Sequence, residues 1–131
     1  MKTSELTGAA LDWAVAKCEG ATEVWQIANG EWIIEFKGVK DWFDQYEYST
    51  DWRVGGPIIE REKITVAPFY DRWVAASSVG ELVRDSDGDC MTIAMWQSEP
   101  HFYGPTPLIA AMRCFVASKL GDEVEIPEEL K

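Results

Sequence analysis

One histidine, His101, and three cysteines at positions 18, 90 and 114 are all that this 131-residue chain offers toward the commonest metal and nucleophilic centres. No CxxC pair occurs, and a zinc site needs four spaced ligands. The cysteines therefore read as free thiols packed as small hydrophobes, and no metal is expected. Basic residues are scarce as well: 12 Lys plus Arg against 23 Asp plus Glu give a net charge of −11. That sign repels phosphate backbones and argues against nucleic acid as a partner. No apolar run approaches the roughly 18 residues that cross a bilayer, and the start of the sequence lacks the basic and apolar regions of a signal peptide. The expected location is the cytoplasm, with no membrane partner.

What the chain does have is apolar and aromatic substance. Hydrophobic residues make up 47%, including seven Trp, four Tyr and five Phe, too rich for intrinsic disorder. The length suits one hydrophobic core, so residues 1–131 are expected to form a single domain. The aromatic surface exceeds what one small core must hide, which points some rings toward a pocket or an interface. The excess of carboxylates serves solubility, with recognition of a basic partner as the alternative.

Periodicity places the elements. Thr7 is the expected N-cap of a first helix, with Leu6 against Leu11 as a staple and Leu11, Ala14, Val15 and Cys18 as its apolar stripe, ending at Gly20. Val24–Ile27 and Trp32–Phe36 flank Asn29-Gly30 as a hairpin. Residues from Lys37 to Thr50 read as a packed loop or short helix. Gly55-Gly56-Pro57 reads as a turn, with Pro57 at the first position of a short middle helix through Glu62. Ile64–Ala67, Trp73–Ser77 and Met91–Trp96 have strand composition, with Asp87-Gly88 as a turn. Thr106 caps a last helix that carries Pro107 in its first turn and ends at Gly121; its apolar face is Leu108, Ile109, Met112, Phe115, Val116 and Leu120. The tail from Asp122 to Lys131 reads as lying along the surface. The order describes an α+β fold, a small antiparallel sheet packed against an N-terminal and a C-terminal helix with a short middle helix.

Enzyme motifs are absent. No G-x-S-x-G, P-loop or G-x-G-x-x-G string occurs, and a lone His101 gives a nucleophile little to work with, so catalytic residues and cofactors are expected to be none. Asp41, Asp44, Glu47 and Asp51 read as a solvated face rather than an acid/base pair. Asp85-Ser86-Asp87-Gly88-Asp89 resembles a calcium loop, but the sixth and twelfth positions are Cys90 and Trp96 where Gly and Glu belong, which leaves a solvated turn.

The suggestive feature is a pair of expected helix starts, at Gly56-Pro57 and at Gly104-Pro105-Thr106-Pro107, since helix N-termini present free amides to anions. Arg113 lies seven residues beyond Thr106, on the same face, and leans toward the same end. Tyr48, Trp52, Trp73, Phe102 and Tyr103 flank these segments and offer stacking surfaces, while Ser49, Thr50, Asp51 and Arg61 offer hydrogen bonds. The expected ligand-binding set is Tyr48, Ser49, Thr50, Asp51, Trp52, Gly55, Gly56, Arg61, Tyr103, Thr106 and Arg113. The plainer alternative is ordinary caps, with the arginines paired to carboxylates.

The segments from Ser4 to Gly20, from Tyr48 to Trp52 with Gly55 to Glu62, and from Gly104 to Leu130 resemble the NinX-like proteins of tailed phages and prophages. The resemblance covers somewhat under half the chain and implies an accessory phage protein whose biochemical role is unknown. Two readings follow. One is a non-catalytic counter-defence protein that sequesters a small phosphorylated or nucleotide ligand, with a homo-oligomer sharing the pocket. The other is an acidic interaction protein that blocks a basic, nucleic-acid-binding surface of a host or phage protein.

Overall fold

The computed structural model describes residues 1–76, 83–84, 90–91 and 101–131. Its elements run α1 (Gly8–Cys18), β1 (Glu23–Gln26), β2 (Trp32–Phe36), β3 (Val39–Trp42), α2 (Trp52–Glu62), β4 (Thr65–Phe69), β5 (Arg72–Ala76), β6 (Val83–Arg84), β7 (Cys90–Met91), β8 (His101–Gly104) and α3 (Pro107–Leu120). The fold is α+β, with a helix toward each end and one in the middle as the sequence predicts. The strands divide into two three-stranded antiparallel sheets, β1-β2-β3 and β4-β5-β8, and a ribbon, β6-β7.

α3 is the central element. Thr106 Oγ1 accepts from the Ile109 amide at 3.1 Å, Pro107 occupies the first turn, and Gly121 closes the helix at φ +89°, as expected of these residue types. Leu108, Met112, Phe115 and Val116 are at most 2% exposed, against Leu6, Leu11 and Val15 of the N-terminal segment and Ile58 of α2. Each such side chain removed from water contributes about 1.5–3 kcal/mol, which makes this helix the chief organiser of the core. Leu120 is the exception on the expected apolar face, 42% exposed in the last turn.

Three expectations change. The stretch after Phe36 forms a third strand, because Lys37 and Gly38 both take positive φ, +48° and +83°, and turn the chain so that Val39 pairs with Phe36. Every side chain of β3 is exposed, so no apolar alternation marks it in the sequence. The middle helix starts at Trp52 rather than Pro57: Asp51 caps it by accepting from the Arg53 amide at 2.9 Å, and Pro57 sits inside. Gly55 is there for contact, since a Cβ would run into the Tyr48 carbonyl oxygen and lie 2.7 Å from Leu108 Cδ1. The tail, finally, is docked. Val124 and Ile126 are buried, and Val124 exchanges backbone hydrogen bonds with Met1 at 2.9 and 3.0 Å.

The strands expected at Ile64–Ala67 and Trp73–Ser77 appear as the β4–β5 hairpin. Pro68 is accommodated because β4 is a sheet edge, where the missing N–H breaks no ladder. β8, missed in the sequence, pairs with β5 through Trp73↔Gly104 to Ala76↔His101. Residues 92–96 of the strand expected at Met91–Trp96, the Asp87-Gly88 turn and the Asp85–Asp89 acidic loop lie outside the described residues. Of the cysteines, Cys114 is buried and Cys18 half-buried, where burial pushes its thiol up to about 12.

Candidate functional site

The eleven residues expected to bind a ligand do not share one pocket. Ser49, Thr50, Trp52 and Thr106 meet around a hollow of about 160 Å³ where the segment before α2 faces the start of α3. The Tyr48 ring lies inside the core, 5% exposed, and burial raises its phenol pKa. Asp51 is the α2 cap and Gly55 and Gly56 are interior to that helix, so the helix start expected at Gly56-Pro57 is not a free N-terminus. Arg61 points elsewhere, to Glu19 at 3.0 Å and Glu62 at 3.1 Å, over the Phe115 ring.

Tyr103 and Arg113 belong to a second, larger cleft of about 360 Å³, which also takes in Ser4, Arg72, His101 and Gly104. β5 and β8 carry Arg72 and Tyr103 side by side, and the Arg72 guanidinium sits over the Tyr103 ring at 3.9 Å from its centroid. Phe69 and His101 pack against the same ring at 5.4 and 5.5 Å, so Tyr103 is a platform for Arg72 rather than an open stacking face. Arg113 reaches back along α3, as its helical position dictates. Its Nε donates to the Leu6 carbonyl at 2.7 Å and its Nη1 to the Tyr103 carbonyl at 2.6 Å, and burial lowers its pKa from the ordinary arginine value. Gly104 lets β8 run into α3, since a Cβ there would come 2.7 Å from the Ala110 nitrogen.

Neither Arg72 nor Arg113 meets a carboxylate among the described residues; every ion pair there involves Arg53, Arg61, Lys119 or Lys131. Hydrogen bonds to carbonyls leave the guanidinium charge uncompensated. Among the described residues, two such charges in one cleft make a local positive patch that a net charge of −11 does not suggest. Arg72 and Ser4 were missed in the sequence because they enter the cleft through strand pairing and a short turn, neither of which spacing reveals.

A third cleft, of about 670 Å³ and larger than the other two, opens where the ends of β2 and β3 meet the first turn of α1. It is acidic and aromatic: Asp12, Glu31, Asp44 and Glu47 line it with Trp32 and Trp42. Asp12 is 5% exposed and accepts from the Ser49 amide at 2.8 Å. Burial raises its carboxyl to about 6 against the help of that amide, and the charge of Glu47 adds to the rise. The Ser49 hydroxyl is close enough to the carboxylate to lower its pKa, yet it is fully enclosed and completes no hydrogen bond among the described residues. No group of three metal-ligating side chains occurs among the described residues, and no helix there is long and apolar enough to cross a membrane.

Comparison with known proteins adds one finding: the family described as Bacteriophage P22, NinX matches residues 2–119. None of the curated proteins compared with the chain matches it.

Proposed function

The chain belongs to the NinX family of phage proteins, and within that family we propose that it is a non-catalytic accessory protein that captures a small phosphorylated or nucleotide ligand. In this reading it acts in the cytoplasm of an infected or lysogenic cell and counters host defence by sequestering a signalling nucleotide. The observation that carries it is the cleft in which Arg72 and Arg113 hold positive charge with no carboxylate beside them among the described residues. Arg72 presents an exposed, planar guanidinium, a shape that hydrogen-bonds phosphate in pairs and stacks on a base. Arg113, held by two carbonyls, contributes field and a fixed wall. The hollow at Thr106 and Trp52 is separate and shares no lining residue with that cleft.

Isothermal titration with a panel of mononucleotides, cyclic nucleotides and dinucleotides tests the reading. One ligand of the panel is expected to bind, and Arg72→Gln to weaken it by roughly tenfold or more, the worth of one charged hydrogen-bonded contact. Arg61→Gln, on a different face and already ion-paired, is expected to leave binding unchanged. Silence across the panel, or equal affinity in the Arg72 variant, refutes it.

A further inference from the structure

The acidic cleft has the opposite chemistry from the arginine cleft and shares no lining residue with it. We propose that it is a second binding site, for an organic cation bearing guanidinium or alkylammonium groups. Four carboxylates, Asp12, Glu31, Asp44 and Glu47, line it, and none forms an ion pair among the described residues. The Arg53 guanidinium touches the Gln45 carbonyl at the rim at 3.3 Å but is paired with Asp51. The start of α1 brings about half a positive charge to this place, which four carboxylates outweigh.

A solvated acidic face would place its carboxylates in water. Asp12 departs from that pattern: it is buried, its Oδ1 is held by the Ser49 amide, Oδ2 has no hydrogen bond among the described residues, and the residue faces the cleft. A carboxylate compensated by a neutral amide alone is costly in low dielectric, and an incoming cation reduces that cost. Trp32 and Trp42 supply the second half of the recognition, since an indole face attracts organic cations that are weakly hydrated. Trp42 is 46% exposed on a strand with no buried residue, so holding the core does not account for it. The volume, about 670 Å³, is within the range of roughly 300–1,000 Å³ that takes a drug-sized molecule, far more than a bare metal ion needs. The same chemistry comes from two sources, a free polyamine or an arginine- or lysine-bearing segment of a partner protein.

Titration of the full chain with spermidine and, separately, with a blocked tri-arginine peptide tests the site, read by calorimetry and by the indole N–H resonances. Saturable binding of either probe is expected, with shifts concentrated on Trp32 and Trp42. Asp12→Asn, which keeps the acceptor for Ser49, and Trp42→Ala, which changes no charge, are each expected to weaken it by roughly tenfold. Binding of spermidine alone identifies a polyamine site; binding of the peptide alone identifies a basic protein segment. Shifts spread over all seven Trp, or unchanged affinity in both variants, reduce the effect to diffuse attraction by a −11 chain and overturn the proposal.

Discussion

Arg113 and Tyr103 are ten residues apart, and the Arg113 Nη1 meets the Tyr103 carbonyl oxygen at 2.6 Å while its Nε meets the Leu6 carbonyl at 2.7 Å. One guanidinium thereby ties the end of β8 and the segment before α1 to the side of α3. Charged hydrogen bonds contribute about 1.5–3 kcal/mol each, and the two carbonyls left behind are part-buried. Arg113→Ala is expected to lower the free energy of unfolding in urea by about 3 kcal/mol, with Arg113→Lys recovering a fraction because an ammonium cannot fork to both acceptors. A loss below about 0.5 kcal/mol for the alanine variant contradicts this role. It follows that binding defects of Arg113 variants are confounded by stability, and that Arg72 is the residue to substitute in ligand tests.

Adjacent glycines in α2 are expected to respond to very different degrees. A methyl at Gly55 collides with the Tyr48 carbonyl and Leu108, both fixed in the core, so Gly55→Ala is expected to cost about 2 kcal/mol or more. At Gly56 the nearest atom is Trp52 Cε3 at 3.5 Å, an ordinary contact, and its backbone is helical. Gly56→Ala gains about 0.5–1 kcal/mol through the unfolded chain's lost freedom but sets a Cβ in helical backbone against the Pro57 ring, so it is expected to lie within about 1 kcal/mol of the natural chain. Thermal unfolding of the two variants side by side checks the contrast, and a matched response counts against the helix running through both.

That contrast explains what could be read from the sequence. The last helix was legible because its signals are local: a Thr cap, a proline in the first turn, a terminal glycine and apolar residues at helical spacing. α2 was misplaced because Gly55-Gly56-Pro57 has the local chemistry of a turn, and only the approach of the Tyr48 carbonyl and of Leu108, the latter distant in sequence, makes glycine necessary inside a helix. β3 escaped because its turn uses Lys37-Gly38 and its side chains are all exposed. For the candidate sites, Tyr103 and Arg113 belong to the expected set and share a cleft, whereas Thr106, the expected companion of Arg113, lines a different hollow. Arg72 joins them across the β5–β8 pairing, Asp12 joins Glu47 through the Ser49 amide, and neither relation leaves a trace in spacing.

Asp12 makes stability depend on pH in a defined direction. Its folded-state pKa, about 6, lies above its ordinary 3.8, so folding favours the protonated form. The stabilising contribution is complete below about pH 4 and is lost as pH rises through about 6; the difference corresponds to about 3 kcal/mol. Asp12→Asn retains the acceptor and cannot ionise. Urea unfolding at several pH values from about 4 to about 7 is expected to show the variant gaining on the natural chain as pH rises. Parallel curves rule out a buried, unpaired carboxylate, and with it the ground for a cation site beneath Trp42.

The turn at Lys37-Gly38 carries avoidable strain. Lys37 holds φ at +48°, where a side chain bearing Cβ is disfavoured by roughly 1–2 kcal/mol, because the two-residue connection between Phe36 and Val39 demands positive φ at both central positions. Asparagine tolerates that region and glycine removes the penalty. Lys37→Asn is expected to stabilise the chain by about 0.5–1 kcal/mol, seen as a higher midpoint of thermal unfolding. Lys37→Pro, whose ring fixes φ near −65°, is expected to break the turn and release β3. Since Trp42 ends that strand, the proline variant should also lose the response of the Trp42 indole to spermidine while Arg72-dependent nucleotide binding persists. Loss of both responses together indicates collapse of the fold rather than release of one strand, and retention of both indicates that β3 is held by something other than its turn.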